Sequence, residues 1–266
     1  FRSSVGGNNA WNGPITLGSS SRVGVDADTL ALGGVVGGTG GLVKTLSGTL
    51  ELTGSTSNTA TGSFYVYGGT LLLNKTGSAK ALGSANNTIY VSNQHGPSGG
   101  RVLQWGAAAG DQLPDNPGSE VQAGGLVDLN GRTETMVRSG TNVLALFYSH
   151  STSAKVTGGT IATSGTANQI IRAANTGNVS HWSPAAEIAA NLSMASGGLT
   201  FETVVLQPRS ELIVTGNVTG NASIQKTESG TLELLGTANT FTGSITINSG
   251  TIAVSDPAQL GPATNR

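Results

Sequence analysis

The clearest pattern in the sequence is a short alternation of apolar and polar residues that occurs twice. The octet SGTLELTG occupies residues 47–54, and SGTLELLG occupies residues 229–236, with a single difference between them. In both octets two leucines alternate with threonine and glutamate, so one face of the segment is apolar and the other is polar. A period of two predicts a β-strand that is buried on one face.

Related segments recur at intervals of about 20 residues, which is the sequence signature of a solenoid. DTLALGG, GTLELTG and GTLLLNK begin at residues 28, 48 and 69, and SELIVTG, GTLELLG and GTIAVSD begin at residues 210, 230 and 250. Weaker versions begin at Gly99, Gly124, Gly158 and Gly197. We interpret these as the same element with longer loops, or as pairs of such elements with a third, unrecognised one between them.

A strand this short cannot bury its apolar face alone, but coils that stack in register at about 4.8 Å share a continuous core. We therefore predict an all-β fold, a right-handed parallel β-helix (β-solenoid) with coils of about 20 residues, loop insertions and roughly 11 coils. An antiparallel sandwich is the alternative. It requires Asn-Gly or Asp-Gly hairpins between matched strands, and the two Asn-Gly pairs of this chain do not lie there.

The predicted organisation is a single β-solenoid over residues 1–266. A first repeat cluster spans 24–92, a loop-rich middle spans 93–200, and a second repeat cluster spans 201–266. One segment of the middle, residues 183–198, carries helical signals, with Ser183 as a candidate N-cap, Pro184 at the first position and glycines at the end. We predict a helix of one or two turns there.

Composition narrows the functional classes. Glycine contributes 41 of 266 residues, about twice its usual share, as expected of a chain with many turns. Only 10% of residues are charged and the net charge is −1, which disfavours nucleic acid and anionic membrane as partners. The absence of cysteine excludes disulfides and thiolate metal sites. No apolar run is long enough to insert in a membrane, and no signal sequence opens the chain, so an exported protein would be a mature or internal piece.

An enzyme is a serious alternative, because parallel β-helices also support polysaccharide-degrading sites built from converging carboxylates. Asp26 and Asp28 share one strand face, and Asp28 is expected in a turn. Asp111 and Asp115 are expected in a solvated loop. We predict no cofactor and no metal site.

The remaining candidate side chains are aromatic or imidazole groups. None of the three histidines, His95, His150 and His181, has a zinc-like partner spacing. His181 and Trp182 could line a carbohydrate groove, but packing of Trp182 over a solenoid end or a loop is the simpler interpretation. Trp105 is expected to pack, and Trp11 lies early enough to cap the first coil.

The two octets extend into a longer shared motif. Its residues are Lys44, Gly48, Thr49, Leu50, Leu52, Gly54, Gly62, Gly69 and Leu71 in the first copy, and Lys226, Gly230, Thr231, Leu232, Leu234, Gly236, Gly243, Gly250 and Ile252 in the second. This motif resembles the autotransporter-associated β-strand repeat, also called the passenger-associated transport repeat. Ala60 and Phe241 depart from it, since they stand where the family pattern has tyrosine. The resemblance implies an exported bacterial surface protein with a β-helical stalk.

We therefore expect a non-enzymatic structural protein of the bacterial cell surface or extracellular matrix. Its β-helical unit would associate head-to-tail through the solenoid ends into a fibre, and a surface polysaccharide is a further candidate partner. The first alternative is an autotransporter passenger stalk or an adhesin that presents a binding surface. The second is a polysaccharide-degrading β-helix enzyme.

Overall fold

A computed structural model describes residues 2–3, 7–83, 88–92, 100–115, 118–138, 141–149, 151–175, 183–195, 197–204 and 209–262. Within these residues the secondary structure consists of 26 strands and one short 3₁₀ helix. The first thirteen strands are β1 (Arg2–Ser3), β2 (Asn9–Trp11), β3 (Ile15–Leu17), β4 (Ser21–Val25), β5 (Thr29–Leu32), β6 (Val36–Gly38), β7 (Leu42–Thr45), β8 (Thr49–Gly54), β9 (Phe64–Val66), β10 (Gly69–Lys75), β11 (Thr88–Val91), β12 (Arg101–Trp105) and β13 (Gly118–Val121). The remaining elements are β14 (Gly125–Met136), β15 (Asn142–Tyr148), β16 (Lys155–Thr163), β17 (Gln169–Asn175), β18 (Ala186–Ile188), β19 (Asn191–Met194), β20 (Leu199–Thr203), β21 (Leu212–Val214), β22 (Val218–Gly220), β23 (Ile224–Thr227), β24 (Thr231–Leu234), β25 (Ile245–Ile247), β26 (Thr251–Val254) and the 3₁₀ helix η1 (Pro257–Leu260).

The strands form two long parallel sheets. Sheet A has eleven strands in the order β1-β4-β7-β9-β11-β13-β15-β17-β20-β23-β25. Sheet B runs β2-β5-β8-β10-β12-β14-β16-β18-β21-β24-β26, with β19 and β22 beside this path, and β3 and β6 form a small third sheet. Every pairing between these strands is parallel. The predicted parallel β-helix is confirmed, and eleven coils at about 4.8 Å give a rod of about 50 Å.

The core consists of apolar columns that run along the rod. One column of sheet B links ten residues, each paired in register with the next: Leu30, Leu50, Leu71, Leu103, Val127, Val156, Ile188, Val214, Leu234 and Val254. All of them except Val254 in the last coil are at most 3% exposed. The stacking that the repeat requires, Leu50 on Leu71 and Leu232 on Ile252, is therefore present.

The two copies of the octet do not lie in the same column. The column that contains Leu50 reaches Leu234 in the second copy, whereas Leu232 stacks on Leu212. Sheet A shows the same displacement, because the column of Leu42 continues through Phe64, Ile89, Ser119, Leu144, Ile171 and Phe201 to Lys226. A displacement of two residues is one full period of a strand, so inward side chains remain inward.

The weaker segments of the middle region are also strands of the two sheets. Those that begin at Gly99, Gly124 and Gly158 contain β12, β14 and β16 of sheet B, the sheet of both octets. The segment that begins at Gly197 contains β20, which belongs to sheet A. In that part of the chain, β18 and β21 are the strands that continue sheet B.

The prediction of a helix over residues 183–198 is wrong. The segment forms β18 and β19 instead, with Ala186, Ile188, Leu192 and Met194 all buried at a spacing of two. Ala186 and Ile188 pair in register with β21 of the next coil. The capping signals of Ser183 and Pro184 were outweighed because the neighbouring coils offer a complete ladder of hydrogen bonds and an apolar column.

The inward and outward faces of one strand give a direct test of the columns. Leu71 is fully buried between Leu50 and Leu103, whereas Leu72 lies on the outer face of β10, between Glu51 and Gln104. We expect Leu71→Ala to lower the free energy of unfolding by about 2–5 kcal/mol because it leaves a cavity in the column. Leu72→Ala should change it by less than about 1 kcal/mol. Urea unfolding of both variants checks this, and equal losses would contradict the assignment of the two faces.

Candidate functional site

The repeat motif builds one corner of the coil around a buried lysine. Lys44 is fully buried in β7, and its Nζ donates hydrogen bonds to the carbonyl oxygens of Thr45 at 2.9 Å, Leu46 at 2.8 Å and Gly68 at 2.9 Å. The chain turns sharply here, since Leu46 has a positive φ of 67°. Because Gly68 belongs to the next coil, the ammonium group joins the turns of two consecutive coils.

The second repeat contains the same corner. Lys226 is fully buried, and its Nζ donates to the carbonyl oxygens of Thr227 at 2.5 Å, Glu228 at 2.7 Å and Ser249 at 3.2 Å. Glu228 has a φ of 64°, so it corresponds to Leu46 of the first copy. Burial lowers the pKa of Lys44 to about 8, and it also lowers the pKa of Lys226. These lysines act as cross-links between coils.

The motif glycines stand where neighbouring coils come closest. A Cβ atom at Gly69 would meet the carbonyl oxygen of Gly48, and one at Gly250 would meet that of Gly230. Gly69 and Gly250 also have positive φ values of 62° and 74°, which side chains rarely adopt. A Cβ atom would likewise overlap the backbone of an adjacent coil at four other motif positions, Gly54, Gly62, Gly236 and Gly243.

The other motif residues are divided between the two faces of sheet B. Thr49 and Thr231 are the first residues of β8 and β24 and are half-buried. The aliphatic residues point inward along the columns: Leu50, Leu52, Leu71, Leu232, Leu234 and Ile252. None of these side chains offers reactive chemistry, so the motif positions the backbone and fills the core.

A second corner is held by buried amides. The Oδ1 atom of Asn58 accepts a hydrogen bond from the backbone N–H of Val36, one coil earlier, and its Nδ2 donates to the carbonyl oxygen of Ala81, one coil later. Asn239 makes the equivalent pair of bonds in the second repeat, with the N–H of Val218 and the carbonyl of Gln259. Each amide therefore satisfies backbone groups on both sides that have no water to bind.

The middle region contains a buried pair of carboxyl groups. Glu134 in β14 is fully buried and accepts hydrogen bonds from the Trp105 indole at 2.8 Å and from the backbone N–H groups of Gln112 at 2.8 Å and Leu113 at 3.0 Å. It is also hydrogen-bonded to the side chain of Asp111. Sequence reasoning missed Glu134, although its spacing of two from the buried Met136 places it at an inward position.

Asp111 lies in a loop, as predicted, but it is not fully solvated. Its carboxylate is partly buried and forms an ion pair with Lys80, with Nζ and Oδ2 2.9 Å apart. Burial alone would raise the pKa of Asp111, but the hydrogen bond with Glu134 and the charge of Lys80 bring it below its ordinary value. Burial and the neighbouring Asp111 raise the pKa of Glu134 well above 4.5, so the pair shares one proton.

Within this pair, Glu134 is shielded from any substrate. Catalysis on a sugar bond needs two carboxyl groups that flank it in an open cleft. Glu134 is enclosed, and its oxygens already accept three N–H groups. Among the described residues no group of three or more His, Asp or Glu side chains could hold a metal ion. In the described ranges no helix has the length and apolarity that a membrane span requires.

The other candidate side chains separate into three groups. Asp28 does occupy a turn, with a φ of 57°, and its Oδ2 accepts from the backbone N–H of Gly7. Trp105 is a core residue, whereas Trp11 is 50% exposed in the first coil. Asp115 is exposed, and His95, His150, His181 and Trp182 lie outside the described residues.

The first and last coils among the described residues carry exposed apolar side chains or an apolar cavity. An apolar cavity of about 420 Å³ lies in the first coils, lined by core residues such as Leu17, Val36 and Leu42, with Trp11 at its side. At the other end Ile247 and Val254, in the last strands of sheets A and B, are 52% and 36% exposed. Between these two coils, sheets A and B are continuous.

Residues 42–73 and 224–254 match the passenger-associated-transport-repeat family. Each matched segment contains one copy of the motif described above, and the lysine corners of Lys44 and Lys226 lie within these two segments. The chain is also 35% identical, over 111 residues, to the Adhesin BmaC autotransporter of Brucella suis biovar 1 (strain 1330). That match covers 36% of this chain and 3% of the adhesin, so the chain spans a small part of that relative's length. No solved structure matches the chain.

The contribution of the lysine corners to stability can be tested by substitution. Lys44→Met keeps the aliphatic stem and removes the three donors, so we expect the free energy of unfolding to fall by about 2–4 kcal/mol. Lys155→Met is the matched control, because Lys155 is partly exposed and forms a surface ion pair with Glu187. It should cost less than about 1 kcal/mol. Urea unfolding measures both, and a harmless Lys44→Met would contradict the cross-linking role.

The shared proton of Asp111 and Glu134 predicts a pH dependence. Between pH 4.5 and the raised pKa of Glu134, the folded chain binds a proton that the unfolded chain releases. Stability from this group is therefore full below pH 4.5 and is lost as the pH rises through that range. Glu134→Gln should remove this loss, so its unfolding free energy should fall less than that of the wild type between pH 4.5 and 8. Parallel pH profiles from urea unfolding would contradict the prediction.

Proposed function

We propose that this chain is a non-enzymatic structural segment of a bacterial cell-surface or secreted protein, and that it works as a rigid β-helical rod. Two observations from relatives support this: the two passenger-associated-transport repeats, and the match to a protein that is named an adhesin and an autotransporter. The structure supports the rod. Its reactive groups are sparse, and its buried polar side chains are used to join one coil to the next.

The rod is further proposed to stack head-to-tail with a second copy. The observation that carries this is the pair of open apolar ends, because uncovered core and free strand edges are costly in water. In such a stack β2 of one copy continues sheet B beyond β26 of the other. If Asn9 lies over Ile252, then Trp11 lies over Val254, and both exposed side chains enter one continuous core.

This arrangement preserves the geometry of the coils themselves. β2 pairs with β5 in parallel, as β24 does with β26, so a parallel β26–β2 pairing repeats the same step along the rod. Trp11 belongs to the column of Leu32, which faces inward, and Val254 belongs to that of Leu234. The two ends are therefore complementary in strand direction and in the faces that their side chains occupy.

The assembly is tested by sedimentation velocity over a concentration series, with electron microscopy of the same samples. The wild-type chain should form oligomers that grow with concentration and appear as rods several times the length of about 50 Å expected for eleven coils. Ile247→Lys places a charge on the open end and should abolish growth. Thr133→Lys, on the exposed outer face of β14, is the control and should assemble normally.

Two outcomes would contradict the stacking. One is a wild-type chain that remains monomeric at the highest concentration, with single short particles in micrographs. The other is growth that Ile247→Lys and Thr133→Lys affect equally, because the contact would then not involve the ends. Circular dichroism of the two variants confirms that each retains the β-helix.

A further inference from the structure

Three tyrosines form an aromatic patch on the outer face of sheet A. Tyr65 and Tyr90 are neighbours in register on consecutive coils, and their rings are stacked with centroids 4.9 Å apart and planes 7° apart. Tyr67 lies beside them, 5.6 Å from Tyr65 at an angle of 48°. The chain has four tyrosines, and the fourth, Tyr148, is buried in the core. Three of the four tyrosines are therefore clustered on the outer face of sheet A.

The core does not require this patch. On the same strands, Phe64 and Val66 of β9 and Ile89 and Val91 of β11 face inward and are at most 1% exposed. The tyrosines occupy the alternate positions, which elsewhere on this wall carry polar or charged side chains such as Glu120 and Arg172. Three adjoining rings at such positions indicate a surface that contacts another molecule.

A polar cleft of about 260 Å³ adjoins the patch, and Tyr90 forms part of its lining. The small residues Gly118 and Ala145 make room for it, because Ala145 stands between Glu120 and Arg172 in the outward row of the sheet. The cleft is also lined by Glu120, Arg138 and Asn142. Its volume is slightly below the range of about 300–1,000 Å³ that is usual for pockets that enclose a drug-sized ligand. It suits one polar ring better than an extended apolar group.

The lining offers three kinds of contact that a carbohydrate makes. A pyranose ring has one face of C–H groups, which packs on the electron-rich face of an aromatic ring. Its hydroxyl groups need acceptors, such as the Glu120 carboxylate, and donors, such as the guanidinium of Arg138 and the amide of Asn142. The guanidinium of Arg138 lies against Gly118 in the lining of this cleft.

Other ligand classes fit less well. The cleft has one acidic and one basic charged side chain, Glu120 and Arg138, whereas a phosphate-rich ligand would require a cluster of basic groups. An apolar peptide would leave these two charges without hydration, which is costly. The row Tyr65, Tyr90 and Glu120 runs along the rod axis, one residue per coil. A ligand that uses both the stack and the cleft must therefore lie along the rod.

We propose that the Tyr65–Tyr90 stack and the adjoining cleft of Glu120, Arg138 and Asn142 form a binding site for a glycan chain that lies along the outer wall of sheet A. One sugar occupies the cleft and packs on the face of Tyr90 that is turned away from Tyr65, and the glycan chain continues along the wall. The physiological role of this site rests on the proposed function, in which the wall of the rod is exposed to polysaccharide. The site itself does not depend on the stacking of rods.

The site is tested on dilute, monomeric chain by saturation-transfer difference NMR with maltohexaose, chitohexaose, a hyaluronan hexasaccharide and 3′-sialyllactose. At least one of these probes should receive saturation, and a titration then gives its Kd. Tyr90→Ala and Arg138→Ala should each weaken binding about tenfold, through the loss of ring stacking and of a charged donor. Tyr90→Phe keeps the ring and should stay within about threefold of the wild type.

Arg172→Ala is the matched control, because Arg172 lies further along the same outward row and outside the cleft. Its Kd should equal that of the wild type. The proposal is overturned if no probe binds at millimolar concentration, or if Tyr90→Ala and Arg138→Ala bind as tightly as Arg172→Ala. Because the glycan titration uses monomeric chain, its result does not depend on assembly, and a chain that binds a glycan but stays monomeric throughout the sedimentation series would overturn the stacking alone. A chain that forms oligomers and binds no probe would overturn the glycan site alone.

Discussion

The close approach of consecutive coils is the constraint on which the rest of this structure depends. Parallel strands about 4.8 Å apart leave no room for side chains where the backbone turns a corner, and no water to bind the peptide groups enclosed there. Glycine answers the first requirement, as at Gly69, where a Cβ atom would meet the carbonyl oxygen of Gly48. Buried amide and ammonium groups answer the second, as Asn58 and Lys44 do. The residues of the repeat motif are largely those that meet these two requirements.

The fold could be predicted from the sequence because the constraint is local and recurs in every coil. The alternation in the octets predicts strands, and the spacing of about 20 residues predicts coils, so Leu50 stacks on Leu71 as the pattern requires. The middle of the chain was harder to interpret, because longer loops hide the period. There Ser183 and Pro184, which are strong helix signals, precede the strands β18 and β19, and only the coils above and below decide the outcome.

The polar interior could be predicted less well. Lys44 and Lys226 were recognised as parts of a motif, but a sequence does not reveal which carbonyl groups an ammonium group will meet. Glu134 and Asp111 are brought together by a loop between two coils, so their shared proton has no local signal. The aromatic patch could not be predicted either, because Tyr65 and Tyr90 become neighbours only when two coils adopt one register. In each case the missing information is the alignment of distant segments.

The displacement between the two octets has a consequence for how such a rod can vary in length. Leu50 and Leu232 occupy equivalent places in their own coils yet belong to different columns, so the strand register of a coil is not fixed by a frame common to the whole rod. Each coil needs only to match the coils directly above and below it. Duplication or loss of whole coils by recombination would therefore leave the remaining core intact, and rods of many lengths can share a single local design.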